Sequence, residues 1–450
     1  MMKRKAMAIT LTAAMLAGLT AVPTWAEDAA ADEGKVLNIY CWNEEFKSRL
    51  TDHYPGYEEV DGTHGKIGDV DVVWNITPSD DNAYQNNLDA ALLNQQDAPA
   101  DDKIDLFLVE ADYALKYVDT DYTMPIKDLG ITDDDLSKQY QYTKDIVTDS
   151  KGVLKGLSWQ GCPGVLFYNR DAAKEVLGTD DPDKVQESVK DWDTYNDTAK
   201  KMKDAGYKMT ASANDTYRVY SNNVTSKWVD GNKISIDDNI MKWVDDSKAQ
   251  VDAGETGTCD LWSDDWSKGF YPQGKVFCYF GPAWLVNFSM AADTEGSIGY
   301  NGGWGAAQGP QGFFWGGTWI CAAQGTDNAN LVKDIMLKMT TDDDIMKDIV
   351  VDDDDFVNNS TVMNGMADGS IKVKDNKEYS SKILGGQNPL PMYCAGVETL
   401  DLSNLSSYDQ GCNEEFQNAM KNYFEGTATK EEALDLFYKS VVEKYPELTY

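Results

Sequence analysis

The sequence predicts an α/β protein of two lobes, on three observations. Near the amino terminus strand-like apolar runs at residues 36–42, 70–74 and 104–109 alternate with helical patterns such as 82–93, an order that demands right-handed crossovers and a largely parallel sheet. The 450-residue chain, even without its first 26 residues, is too long for one compact core at about 100 to 200 residues per domain. Finally, Gly161-Cys162-Pro163-Gly164 joins two strand-like runs, and a Gly/Pro stretch in that place suits a passage between lobes.

The elements follow in order. Lys3, Arg4 and Lys5, an apolar stretch over 6–19 and then Pro23-Thr24-Trp25-Ala26 have the layout of a secretory signal peptide cut after Ala26. The apolar run is shorter than the roughly 18 to 20 residues that span a bilayer. No Cys lies near the cut to accept a lipid. Residues 36–42 read as a buried strand and 70–74 as a second, with a polar loop leading into a helix between them. Leu88, Leu92 and Leu93 share one helical face, and 104–109 is a third strand. Beyond the Gly/Pro stretch, 165–168 reads as a strand, 192–205 and 237–253 as helices and 275–280 as a strand. The Gly- and aromatic-rich segment 302–317 precedes a strand at 318–323 and a helix at 328–339. The chain ends in amphipathic helices at 414–424 and 430–445, the second capped at Thr427-Ala428-Thr429 with Glu431 or Glu432. The Asp runs 342–344 and 352–355 read as solvated surface. Asp119-Thr120-Asp121-Tyr122-Thr123 begins like a calcium loop, but it lacks the sixth-place Gly and has Gly130 where a bidentate Glu belongs, so it reads as a turn.

Composition narrows the function classes. The net charge is −36 and becomes three units more negative without the leader. Such a surface repels nucleic acids and anionic lipids and argues against a polyanionic ligand. Only His53 and His64 are present, which argues against histidine-rich metal sites and Ser-His or Cys-His catalysis. Neither a P-loop nor a dinucleotide fingerprint occurs. Hence no metal, no cofactor and no catalytic residues are expected. The seven cysteines, with no C-x-x-C pair, leave at least one thiol free, and Cys41, Cys278 and Cys321 sit in apolar runs as small hydrophobes.

Of 13 Trp residues all but Trp25 lie beyond the leader. Indole faces stack on the C–H faces of sugar rings while neighbouring Asp, Glu, Asn and Arg bond the hydroxyls. Trp42 with Glu44 and Glu45, Glu110 with Asp112, Trp159 with Gln160, and Trp262 and Trp266 with Asp264 and Asp265 are such mixtures. Trp315 lies in the aromatic segment 302–317. Trp42 and Glu110 also follow the carboxyl ends of strands, where open α/β sheets bind ligands. Paired carboxylates among Trp residues describe a sugar-cleaving cleft as well, and the acidic balance equally suits a cationic solute or peptide.

The order of segments resembles the maltose-binding-protein-like family, the extracellular solute-binding proteins of ATP-powered carbohydrate transporters. The likeness rests on Leu37-Asn38-Ile39-Tyr40-Cys41-Trp42, on Asp105-Leu106-Phe107-Leu108-Val109-Glu110 and on the crossing segment from Gly161 to Asp171. It continues in Gly274-Lys275-Val276-Phe277-Cys278-Tyr279-Phe280-Gly281-Pro282-Ala283-Trp284, Trp319-Ile320-Cys321-Ala322-Ala323 and Glu431-Glu432-Ala433-Leu434. The resemblance implies a two-lobed periplasmic-binding-protein-like fold of type II, with discontinuous lobes joined by hinge strands: 35–160 plus 317–343, and 161–316 plus 344–450. It implies an extracytoplasmic monomer that closes on a neutral sugar or oligosaccharide and docks on membrane permease subunits. By matching position Glu44 and Glu45 fall on the loop after the first strand and Asp112 on the loop after Val109. Cys162 stands where a relative has an acidic residue, which passes hydroxyl recognition to Gln160 or Trp159. Tyr217 and Arg218 fall where an aromatic contact is expected, Trp284 matches the stacking Trp, and Tyr408 lines the cleft. The stretches 161–164 and 312–317 are the candidate hinges.

Overall fold

The computed structural model describes residues 34–450; the expected leader and cleavage point lie outside the described residues. Strands run in chain order β1 (Val36–Cys41), β2 (Tyr57–Asp61), β3 (His64–Ile67), β4 (Val70–Ile76), β5 (Leu106–Glu110), β6 (Pro163–Asn169), β7 (Val229–Asp230), β8 (Lys233–Ile234), β9 (Cys278–Gly281), β10 (Trp304–Ala307), β11 (Phe313–Phe314) and β12 (Thr318–Ala322). The chain divides into two compact units. The first runs to Trp159 and resumes over Thr318–Ile345; the second comprises Gln160–Gly317 and Met346–Tyr450. The chain therefore passes between units three times.

The first unit holds a sheet of order β12-β5-β1-β4-β3-β2. β4, β1 and β5 are parallel, and β12 returns antiparallel along β5 with Thr318 opposite Glu110. Leu37, Ile39 and Cys41 of β1 and Leu106 through Val109 of β5 are buried, as a sheet covered on both faces requires. The helix Ala83–Asn94 links β4 to β5 and buries Tyr84, Leu88 and Leu92. Between β1 and β4, where the sequence reads as a loop and a helix, the helix Glu45–His53 is followed by the β2–β3 hairpin. That hairpin escapes a periodicity reading because β2 has no buried face: Glu58, Glu59, Val60 and Asp61 are all exposed.

In the second unit β6 is buried throughout and pairs antiparallel with β9, β10 and β11. Gly164 admits the Phe313 ring, which lies 2.1 Å from where a Cβ would stand. The helix Trp192–Asp204 opens with a capping box between Asp191 and Thr194, and Lys430–Lys444 with one between Thr429 and Glu432. Asp409–Phe424 and Lys430–Lys444 pack as a hairpin around Phe416 and Phe437, whose rings meet at 5.0 Å, with Trp228 against both.

The expectation for residues 352–355 is corrected. Asp352 is exposed, but Asp355 is buried and accepts a hydrogen bond from Gln160 Nε2 at 3.1 Å. Asp354 accepts from the Tyr379 hydroxyl, and burial lifts its carboxyl above the usual range. The run turns inward because the backbone beside it pairs with the crossing segment: Gly161 N–H donates to Phe356 O, and Gln160 bridges Val357. No disulfide forms among the described residues, and no described helix is long and apolar enough to cross a membrane.

Candidate functional site

In the first unit the parallel register fixes which residues share an end of the sheet. β4 and β1 finish level and β5 runs slightly further, so Thr77, Trp42 and Ala111 lie at one end of the sheet, where β12 begins. The indole of Trp42 stands edge-on to Tyr84 at 5.6 Å and to Tyr113 at 6.3 Å. Tyr84 is locked beneath it, its buried hydroxyl donating to Leu108 O at 2.6 Å and Tyr40 O at 3.1 Å. Burial holds the Tyr84 and Tyr113 hydroxyls well above the ordinary phenol value, so both remain neutral donors. The Glu110 carboxylate accepts the Asp112 N–H at 2.8 Å, which shapes the turn that carries Asp112. Trp42 and Asp112 are half-buried and Glu44 is exposed. Chain crossings leave and return at this same edge: Leu157 pairs with Ile320, and Ser158 Oγ donates to Thr318 O at 2.7 Å.

The second unit repeats the principle with different parts. Val165 lies opposite Gly281, and Pro163 opposite Phe314, so the segments after β9 and β11 emerge where the chain arrives from Gln160. Trp284 follows β9 through Pro282 and Ala283, ahead of a single π-helical turn at Leu285–Ser289, a feature frequent at functional sites. Trp315 follows β11 and donates its N–H to Cys162 O at 3.3 Å. Trp284 Nε1 donates to Trp315 O at 3.3 Å, and the two indoles meet edge-to-face at 5.4 Å. Trp262 lies nearly parallel to Trp284, with centroids 6.2 Å apart, and 5.7 Å from Trp315. Trp262 is 54% exposed and its backbone is left-handed, at φ 68°.

The remaining expected residues are placed as follows. Trp159 is fully buried in the first unit, stacked on Phe46 at 5.2 Å. Tyr217 is fully buried in the second, its hydroxyl donating to Asn413 and its ring edge-on to Trp243 at 4.8 Å. Gln160 is buried on Asp355, and Glu45 is buried at the start of its helix, its N–H on Asn43 Oδ1. All four are buried as placed, each held by the partners just named. Arg218 is half-buried on the short helix Tyr217–Ser221. Tyr408 caps Asp409–Phe424, edge-on to Tyr445 at 5.1 Å, with its hydroxyl on Glu447. Thus Trp284 and Trp315 come together, Trp42 and Asp112 share a sheet edge, and Tyr408 belongs to the carboxyl-terminal packing. Trp262 is the residue that sequence reasoning passed over: its Trp-and-carboxylate surroundings signalled it, but its stacking partners are remote in the chain.

Residues 65–379, well over half of the chain, match the family model described as bacterial extracellular solute-binding protein. No curated protein sequence matches. Among solved structures, one described as extracellular solute-binding protein family 1 superposes with a TM-score of 0.70 at 17% identity, covering 90% of this chain and 99% of that one. The transporter-associated binding protein of B. animalis subsp. lactis Bl-04, in complex with β-1,6-galactobiose, gives 0.67 at 18% identity over 92% and 99%. A maltose-bound protein of T. maritima gives 0.62 at 12% identity over 90% and 98%. At these identities the likeness establishes the two-lobed solute-binding fold.

Proposed function

The chain belongs to the family of bacterial extracellular solute-binding proteins, and from that premise we propose that it captures a neutral sugar or oligosaccharide and delivers it to the permease of an ATP-powered transporter. The observation that carries this reading is the wall formed by Trp284 and Trp315 at the sheet end where the chain enters the second unit. The half-buried indole of Trp284, backed by the buried Trp315, offers a flat apolar face to sugar C–H groups. Within the first unit, Trp42, Glu44 and Asp112 form an aromatic and carboxylate set suited to a sugar ring and its hydroxyls. The galactobiose and maltose complexes of proteins with the same fold support a sugar as the solute.

Such a protein needs no nucleophile. Its work is differential: a solute that binds one conformation better than another shifts the population toward it. The segments 161–164 and 312–317 are the proposed hinges. Gly316 and Gly317, both at positive φ, have the backbone freedom to absorb a rotation. The acidic surface keeps the protein monomeric and away from nucleic acid.

Calorimetric titration against glucose, galactose, maltose, lactose, cellobiose and raffinose tests the reading. Saturable heat with at least one sugar, and no new reducing ends on prolonged incubation, is expected. Silence toward every sugar alongside a thermal shift with polyamines or peptides refutes sugar binding, and steady release of reducing ends makes the protein a hydrolase.

A further inference from the structure

Behind the exposed face of Trp262 lies a buried carboxyl group that solute capture, as described above, does not use. Asp215 is 3% exposed. Its Oδ2 accepts the backbone N–H of Ser212 at 2.8 Å, and its Oδ1 accepts the indole N–H of Trp266, also at 2.8 Å. Trp266 is itself 1% exposed and meets Trp262 edge-to-face at 5.0 Å. Trp262 in turn lies along Trp284. A carboxyl group, a buried indole and an exposed indole thus form one connected line that ends on the aromatic wall.

Two features of Trp262 need an explanation. A bulky side chain at φ 68° is strained, and a largely exposed indole gains little from burial to offset that strain. Strain of this kind persists where the surroundings over-determine it, and it concentrates at ligand clamps. Here the surroundings are the Trp266 ring and the Ser263 side chain, which accepts the backbone N–H of Trp266 and caps the turn that follows Trp262.

Resting on the sugar-binding reading, we propose that Trp262 is a solute-contacting residue and that Asp215 is its positioning residue, acting through Trp266. Both oxygens of Asp215 already accept N–H groups, so a proton on either competes with one of them. The Ser212 N–H is fixed in the backbone; the indole of Trp266 is the partner that yields. Burial lifts the Asp215 carboxyl to about 7, so this competition falls near neutrality. The thiols and phenols packed around it stay neutral there. Burial raises the Cys259 thiol to about 11, and raises the Cys278 thiol and the Tyr195 and Tyr279 hydroxyls well above their ordinary values. Asp260 and Asp265 also act on Cys259, and each is paired with a lysine, Lys421 and Lys268. Ionised Asp215 gives Trp266 a charge-assisted bond, the stronger kind, and fixes Trp262 for the solute.

The test has one arm without ligand and one with it. Near-ultraviolet circular dichroism of the free protein should change with a midpoint near neutrality, and that change should vanish in Asp215→Asn and in Trp266→Phe, which lacks the indole N–H. A signal that does not titrate, or that titrates unchanged in both variants, overturns the positioning role whatever the solute proves to be. In the second arm the tightest sugar of the panel is titrated at acidic and alkaline pH. The wild-type protein should bind about fivefold more tightly at alkaline pH, and Asp215→Asn should show a flat profile at the weaker value. Trp262→Gly, which relieves the left-handed strain, should retain or raise thermal stability while weakening the sugar by about tenfold or more. Unchanged affinity in Trp262→Gly overturns the contact with sugar binding intact; no binding of any sugar by the wild type overturns the sugar reading and the contact with it, while the first arm still decides the positioning.

Discussion

Trp284 shows how a single side chain is fixed without being hidden. Its N–H is committed to Trp315 O, its ring is braced by Trp315 and Trp262, and the residue is still only half-buried. Replacing it with Ala removes the stacking face and should weaken the best sugar by more than tenfold, about 1.4 kcal/mol, in calorimetric titration. Unchanged affinity removes Trp284 from the site. Trp42→Ala should weaken the same sugar with little effect on thermal stability, since much of the ring is not core. At this scale the sequence speaks unevenly. The placement of Trp284 and Asp112 just beyond strand ends is legible, because the apolar pattern marks those strands. Tyr217 is not, because its burial against Trp243 and Asn413 depends on helices far along the chain. Trp262 is only half legible: its neighbouring carboxylates mark it, but neither its left-handed backbone nor its contact with Trp284 leaves a local pattern.

The helices and strands are easier to read than the side chains. Thr429 and Glu432 form the capping box expected ahead of the last helix, and Thr429→Ala should cost about 1 kcal/mol in urea denaturation. The β2–β3 hairpin carried one usable signal, the Asp61-Gly62 pair at its turn, which the lack of an apolar face masked. Asp215 belongs to this scale too, because it ties the Ser212 turn to the short helix Asp264–Ser267. Its folded value of about 7 stands above the ordinary 3.8, so the folded state retains a proton that the unfolded state has released. Its contribution to stability is therefore fully present below about pH 4 and is lost as pH rises through about 7. Denaturation midpoints should decline across that window in the wild type, and the part of the decline that comes from Asp215 should be absent in Asp215→Asn.

For the molecule as a whole, the α/β class and the two-lobed fold follow from alternating strands and helices, chain length and the Gly/Pro crossing, all properties that survive in a single sequence. The solute's identity does not, because it depends on a few polar groups brought together from distant segments. Extracellular family membership gives the leader a direct check: the exported protein should begin at Glu27 by amino-terminal sequencing, and a start elsewhere moves the cleavage point. The interleaving of the two units reaches further, into biosynthesis. The outer edge of β5 has its partner only in β12, so the first sheet has an unfinished border until the ribosome has passed Ala322. A nascent chain that cannot complete either half early remains threadable for most of its synthesis. This is the condition a translocation pore requires of its passenger, and splitting each unit along the chain contributes to it.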